Sequence, residues 1–250
     1  MKSMIHSWKK KAAQYRELKK QKGVTLLEII IVLGIIGIIA AGVVILAQRA
    51  FAAQDMTDVV DNTNTIRVSM TDVYRDANGY PGSTDLTGIT KAMLDKDKTE
   101  ANPTYKGPVM TMLKMGKLTT GEAFNGFSNE PFEIGPASIG ANATDTKAKG
   151  FYISVNGLSQ EECRNLLSQT ASNWDYVATA VVAAGSQSSY AVAPPTDAGV
   201  AVAAKLLMGV GAAAPIIKTL AGDIISPDVI TGSSVCTDPG SANAVILGSR

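Results

Sequence analysis

A single carboxylate stands inside the longest apolar run of the chain, and it sets the chemistry available there. Glu28 lies five residues into the segment Val24–Ala47, whose other residues are nineteen aliphatics, three glycines and Thr25. An ionisable side chain at mid-membrane costs about 2.5–3.5 kcal/mol, and less near the end of a span, so Glu28 calls for a partner. The junction before Val24 could supply one. Cleavage after Gly23 would leave the Val24 α-amino group about one helical turn from Glu28, where the helix dipole also favours a negative group. Pairing within one chain brings no preference for assembly. Pairing between chains would fix the axial register of an otherwise uniform apolar surface. The alternative is a Glu28 that snorkels or is protonated and has no role.

Other chemistry is sparse. The one histidine, His6, precedes the apolar run, which removes Ser-His-Asp triads, histidine-based zinc sites and histidine general bases from the remainder. There is no phosphate-binding glycine loop. Asp95, Asp97 and Glu100 lie in a lysine-rich polar stretch and read as solvated, while Asp223 and Asp228 form at most a chance pair. No enzyme activity, cofactor or metal site is expected. Cys163 and Cys236 are the only cysteines; in an oxidising compartment an even count suggests a disulfide. It would close a loop of about 74 residues, worth about 4.5 kcal/mol in the chain-entropy picture. Two buried free thiols are the alternative.

The elements that place these groups follow from charge and periodicity. Residues 1–23 hold eight of the 23 Lys and Arg against one acid, Glu17, leaving 15 basic and 21 acidic residues in the rest. A basic leader suits the cytoplasmic flank of a membrane helix. An acidic remainder without a basic run argues against nucleic acid as partner. The 24 residues Val24–Ala47 span about 36 Å as a helix, enough for a hydrocarbon core. A cleaved secretory signal, cut near Ala50–Ala53, is the alternative, although its apolar region usually covers about 7–15 residues. Gly34, Gly37 and Gly42 would let neighbouring helices approach closely, or reflect ordinary glycine usage in membrane helices.

From Gln48 to Ala77 the pattern turns amphipathic: after Phe51, the positions Met56, Val59, Thr63, Ile66, Met70 and Val73 recur every three or four residues. No proline intervenes before Asn78-Gly79-Tyr80-Pro81, so one helix of about 54 residues, some 80 Å long, is predicted. Residues 82–149 read as irregular with short helices, one over Pro108–Met115 with core-filling methionines and one opening at Thr119–Glu122. Phe151–Val155 reads as a strand ending at Asn156-Gly157, and Ser159–Glu162 as a capping box opening a helix with Cys163, Leu166 and Leu167. Further strands are expected at Trp174–Val182 and Ala244–Leu247, with a short helix starting near Ser226-Pro227-Asp228. Residues 183–214, rich in Ala, Gly and Ser, give no clear assignment. The succession suggests an α+β domain with an antiparallel sheet.

Gly23-Val24-Thr25-Leu26-Leu27-Glu28, followed by Ile29-Ile30-Ile31-Val32-Leu33, resembles the class III signal of type IV pilins and pseudopilins. The 23-residue leader and a first mature residue other than Phe resemble the type IVb branch. Asn62–Arg67, Gly79-Tyr80-Pro81, Gly116–Thr119, Asn156–Arg164 and Ser249-Arg250 are similar to enteric adhesive pilins of the CFA/III and longus type. Residues 82–105 and 183–235 show no such match.

The resemblance implies a type IV pilin fold: a long N-terminal helix packed on an antiparallel sheet head with one disulfide, which falls on Cys163 and Cys236. It implies cleavage after Gly23 by a prepilin peptidase, N-methylation of Val24 and an assembly role for Glu28. The expected organisation is a leader over 1–23, a membrane and filament-core helix over 24–47, its amphipathic continuation over 48–80, and a head with variable loops over 81–250. The expected life history runs from a single-pass inner-membrane precursor with a periplasmic head to an extracellular pilus for adhesion, aggregation and colonisation. Expected partners are other copies of the chain, the peptidase/methyltransferase, the inner-membrane assembly machinery, minor pilins and a host-cell surface. A minor or initiating pilin, a type II secretion pseudopilin and a membrane-tethered periplasmic binding domain that keeps its leader are the rival readings.

Overall fold

Helix α1 runs without a break from Leu26 to Tyr74, 49 residues, in a computed structural model that describes residues 25–77, 79–83, 86, 88–137, 149–186, 216–218 and 227–250. The expectations for Gly23, Val24, Asp223, Ser226 and most of 183–214 lie outside these residues. The chain divides into two compact units, Met1–Ala52 and Ala53–Arg250. In the first, α1 is long and apolar enough to cross a membrane by length and composition, and none of its most apolar stretch is buried within the chain. A Cβ added at Gly34, Gly37 or Gly42 meets no other atom of the chain within 4 Å.

In the second unit, the head, α1 buries one stripe: Met56, Val59, Thr63, Ile66, Ser69 and Met70. These recur at helical spacing, as the sequence pattern required. The helix ends at Tyr74, three residues before Ala77, whose amide donates to the Tyr74 carbonyl. Two short helices follow, α2 (Lys91–Asp97) and α3 (Pro108–Lys114). Pro108 opens α3 at the position where a missing N–H costs nothing, and Gly116 follows it at φ 68°. Met110 and Met112 fill the core as expected, but Met115 is exposed. Thr119–Glu122 forms a turn and not a helix; the Glu122 carboxylate accepts from the Thr119 amide at 2.8 Å, closing it locally.

Two minimal strands, β1 (Phe124–Asn125) and β2 (Glu130–Pro131), pair antiparallel. The main sheet contains β3 (Glu133–Ala137), β4 (Gly150–Leu158), β5 (Tyr176–Val181), β6 (Ile216–Lys218) and β7 (Asn243–Ser249). Its order is β3-β4-β7-β5-β6, with antiparallel pairing throughout. Between β4 and β5 lies α4 (Gln160–Thr170), and α5 (Pro227–Ile230) precedes β7. Alternation sends Ile134, Phe151, Ile153, Val155, Val177, Val245 and Leu247 into one core with α1, α3 and α4. The opposite face gathers a second buried cluster of Ala137, Tyr152, Tyr176, Ala178 and Ile246. There Gly135 sits opposite Tyr152, and a Cβ at Gly135 would lie 2.1 Å from the Tyr152 ring.

Two expectations are corrected. The strand does not end at Asn156-Gly157: β4 continues to Leu158 through a register shift against β7 after Val155. Gly157 takes φ 78° and Asn156 accepts from the Asn125 side chain at 2.9 Å, so a turn-like dipeptide serves as a bulge. Asp97 is not solvated: it is buried and its carboxylate accepts from the amides of Thr104 and Tyr105 at 2.8 and 3.1 Å. Asp95 is exposed as read, and Lys98, with Thr120, holds its carboxyl below the ordinary range.

Candidate functional site

The first turn of α1 carries the one charge of the apolar segment. Thr25 precedes the helix, and its hydroxyl oxygen accepts from the Glu28 amide at 3.2 Å while its carbonyl accepts from the same amide at 3.0 Å. This is an N-cap: it occupies a donor that the helix start leaves without an intrahelical partner. With the backbone so held, the Glu28 side chain is exposed. Among the described residues its carboxylate makes no hydrogen bond or ion pair. Around it Leu26, Leu27, Ile29, Ile30 and Ile31 are all exposed within the single chain. No described side chain reaches the Glu28 carboxylate, so a partner for it would come from the chain's own N-terminus or from another molecule. Gly23 and Val24 lie outside the described residues.

The head is held by two long-range fasteners. Cys163, in the first turn of α4, is bridged to Cys236, with Cα atoms 6.0 Å apart and a sequence separation of 73. The expected disulfide is therefore formed, and both half-cystines are buried. α4 starts where the capping box placed it: the Ser159 amide donates to Glu162 at 2.8 Å and the Glu162 amide to Ser159 Oγ at 3.3 Å. The Gln160 side chain donates to the Cys236 carbonyl at 3.0 Å. The bridge thus ties α4 to the segment that leads into the central strand β7.

The second fastener is Arg67. Its guanidinium lies over the Trp174 ring at 5.1 Å, donates through Nε to Ser249 Oγ at 3.0 Å, donates to the Asn173 carbonyl and lies 3.7 Å from Asp175. Ser249 in turn donates to Asp175 at 3.0 Å. A planar fork over an aromatic face is a task for Arg and not for Lys. Sequence reasoning placed Arg67 between apolar positions and assigned it no role, because its partners lie 106 and 182 residues away. It also passed over the Thr25 cap. The Thr-x-x-Glu spacing that signals such a cap was present, but the unusual carboxylate drew the reading to Glu28 alone. Asp228 sits exposed on α5.

Comparison with known proteins bears on both units. The prokaryotic N-terminal methylation motif matches residues 18–44, a stretch that contains Gly23, Val24 and Glu28. A toxin coregulated pilin of Vibrio cholerae is 37% identical over 173 residues, which cover 68% of this chain and 68% of that protein. A toxin coregulated pilin from Vibrio cholerae serotype O1 is 35% identical over 172 residues with the same coverage. The chain belongs to the type IV pilins, in the type IVb branch. The crystal structure of TcpA, a type IV pilin from the El Tor biotype of Vibrio cholerae, aligns with a TM-score of 0.48 and 19% identity over 79% of this chain and 99% of that one. As a pilin the chain is a pilus subunit, and its apolar N-terminal helix fits a membrane-anchored precursor. The long helix, the antiparallel sheet and the single Cys163–Cys236 bridge are those expected of the fold.

Proposed function

We propose that this pilin is the major subunit of a type IVb pilus and that Glu28 directs its addition to the filament. The precursor stands in the inner membrane through residues 24–47, leader inside and head in the periplasm. A prepilin peptidase cuts after Gly23 and methylates the Val24 amine. The Glu28 carboxylate of an incoming copy, or of a copy already in the bundle, then meets the Val24 ammonium of its neighbour, and this pairing sets the stagger of otherwise featureless helices. Apolar faces that are bare in the single chain become buried against one another as the subunit leaves the lipid. The role is structural and requires no catalytic residue. The inner-membrane assembly machinery and minor pilins serve assembly, and the finished fibre acts in adhesion, aggregation and colonisation at a host-cell surface.

One observation carries this reading: a lone exposed carboxylate, without a described partner, in the first turn of an apolar helix whose cap is already filled by Thr25. Its test is Glu28→Gln, which keeps shape and removes charge. Processing to mature length should continue while filaments sheared from the surface fall steeply. Normal filament yield from that variant would sink the pairing.

A further inference from the structure

Within the head, the outward side of α1 carries two patches of opposite charge. Asp58 and Asp61 are exposed and make no ion pair among the described residues. Farther along, Asn64, Val68, Thr71, Asp72, Arg75 and Lys117 line most of a groove of about 520 Å³. Val68 is 69% exposed and gives the groove an apolar floor. Arg67 also borders it, but its guanidinium is paired with Asp175, so Arg75 and Lys117 are the cations that face Asp72 across the groove. Lys117 holds that carboxylate, Asp72, at 2.7 Å, and Arg75 is exposed with no ion pair among the described residues. The groove is therefore positive.

The two patches cannot satisfy each other in one chain. Asp58 lies within α1 and Arg75 one residue past its end at Tyr74, about 25 Å farther along the axis at about 1.5 Å per residue. A contact between the acidic turn of one copy and the groove of another uses two different surfaces. Such a heterologous contact repeats without closing and so generates a filament and not a dimer. Copies anchored through the same apolar segment stand parallel, which leaves an axial stagger as the way for the patches to meet. We propose that the groove over Val68 receives the Asp58–Asp61 turn of a second copy of the pilin, with the carboxylates facing Arg75 and Lys117. This rests on the pilus-subunit reading and adds to it a head contact separate from the Glu28 pairing.

The test is charge reversal in the full-length chain. Asp58→Lys with Asp61→Lys, and separately Arg75→Asp, should each lower sheared filaments about tenfold, since like charges face each other in the contact. Pilin levels in the membrane should be unchanged, because all three side chains are exposed. Asp58→Lys combined with Arg75→Asp should restore filaments. A second readout avoids charge altogether: Asp58→Cys/Arg75→Cys, treated in sheared pili with a short bis-maleimide, should give a ladder of linked subunits. Wild-type filament yields from the reversals, a combined variant no better than the poorer of the two, or monomer only after cross-linking would overturn the contact alone. A wild-type chain that made no filament would overturn the pilus reading and this inference together.

Discussion

Removing the Cys163–Cys236 bridge should cost the head a large part of its stability. The bridge closes a loop with a sequence separation of 73 residues. The chain-entropy relation gives about 4.5 kcal/mol for such a loop, an upper figure for a range of about 2–5 kcal/mol. A domain's whole stability is about 5–15 kcal/mol, so the loss is between about an eighth and all of it. Both half-cystines are buried, so Cys163→Ala/Cys236→Ala is the cleaner substitution, leaving neither a lone thiol nor a buried hydroxyl. Trp174 is fully buried, and it is the only tryptophan in a chain expressed without residues 1–23, so its fluorescence reports the head alone. With a urea slope of about 2–3 kcal/mol/M, the midpoint should fall by about 1–2 M. Wild-type protein treated with a reductant should fall by the same amount. A shift below about 0.5 M in both samples would refute the reasoning that the bridge restrains this loop.

Gly135→Ala should destabilise the head by about 1–3 kcal/mol or more, because the new Cβ falls 2.1 Å from the Tyr152 ring; thermal melts of Gly135→Ala, Tyr152→Ala and the double variant check this, the double losing less than the sum of the two singles because the clash is gone. Tyr105 is buried and its phenol is pushed up to about 12, chiefly by burial. Its neutral form is the one the fold keeps, so stability is full below pH 10 and falls by about 1.4 kcal/mol per pH unit as pH rises from 10 to 12. Denaturant midpoints across that range should fall less steeply in Tyr105→Phe. Asp97→Ala should cost about 2 kcal/mol, since it strands the Thr104 and Tyr105 amides; an unchanged melting temperature would contradict the buried role.

What the sequence made legible was whatever short-range physics decides. The long helix followed from a uniform apolar run joined to a helical stripe with no proline, and the capping box at Ser159 located α4 to the residue. The strands at Phe151, Trp174 and Ala244 followed from runs of β-branched, aromatic and alanine residues. The misses share another cause. β1 and β2 have two residues each, too few for any period. β3 contains Gly135 and Pro136, which read as breakers; the glycine is there because Tyr152 lies across it. Asn156-Gly157 looked like a turn because nothing local distinguishes a turn from a bulge. Asp97 looked solvated because its neighbours are lysines, yet the amides it serves are seven and eight residues ahead. Arg67 was opaque for the same reason at greater distance. In the apolar segment the chemistry of Glu28 was readable from its cost in an apolar run, whereas the Thr25 hydroxyl's cap on the Glu28 amide required the structure.

The most direct test of the account is the mass of the N-terminal peptide from protein sheared off the cell surface. The account predicts a chain that begins at N-methylated Val24 and lacks residues 1–23. A surface filament whose subunits still began at Met1, or at any residue other than Val24, would contradict it.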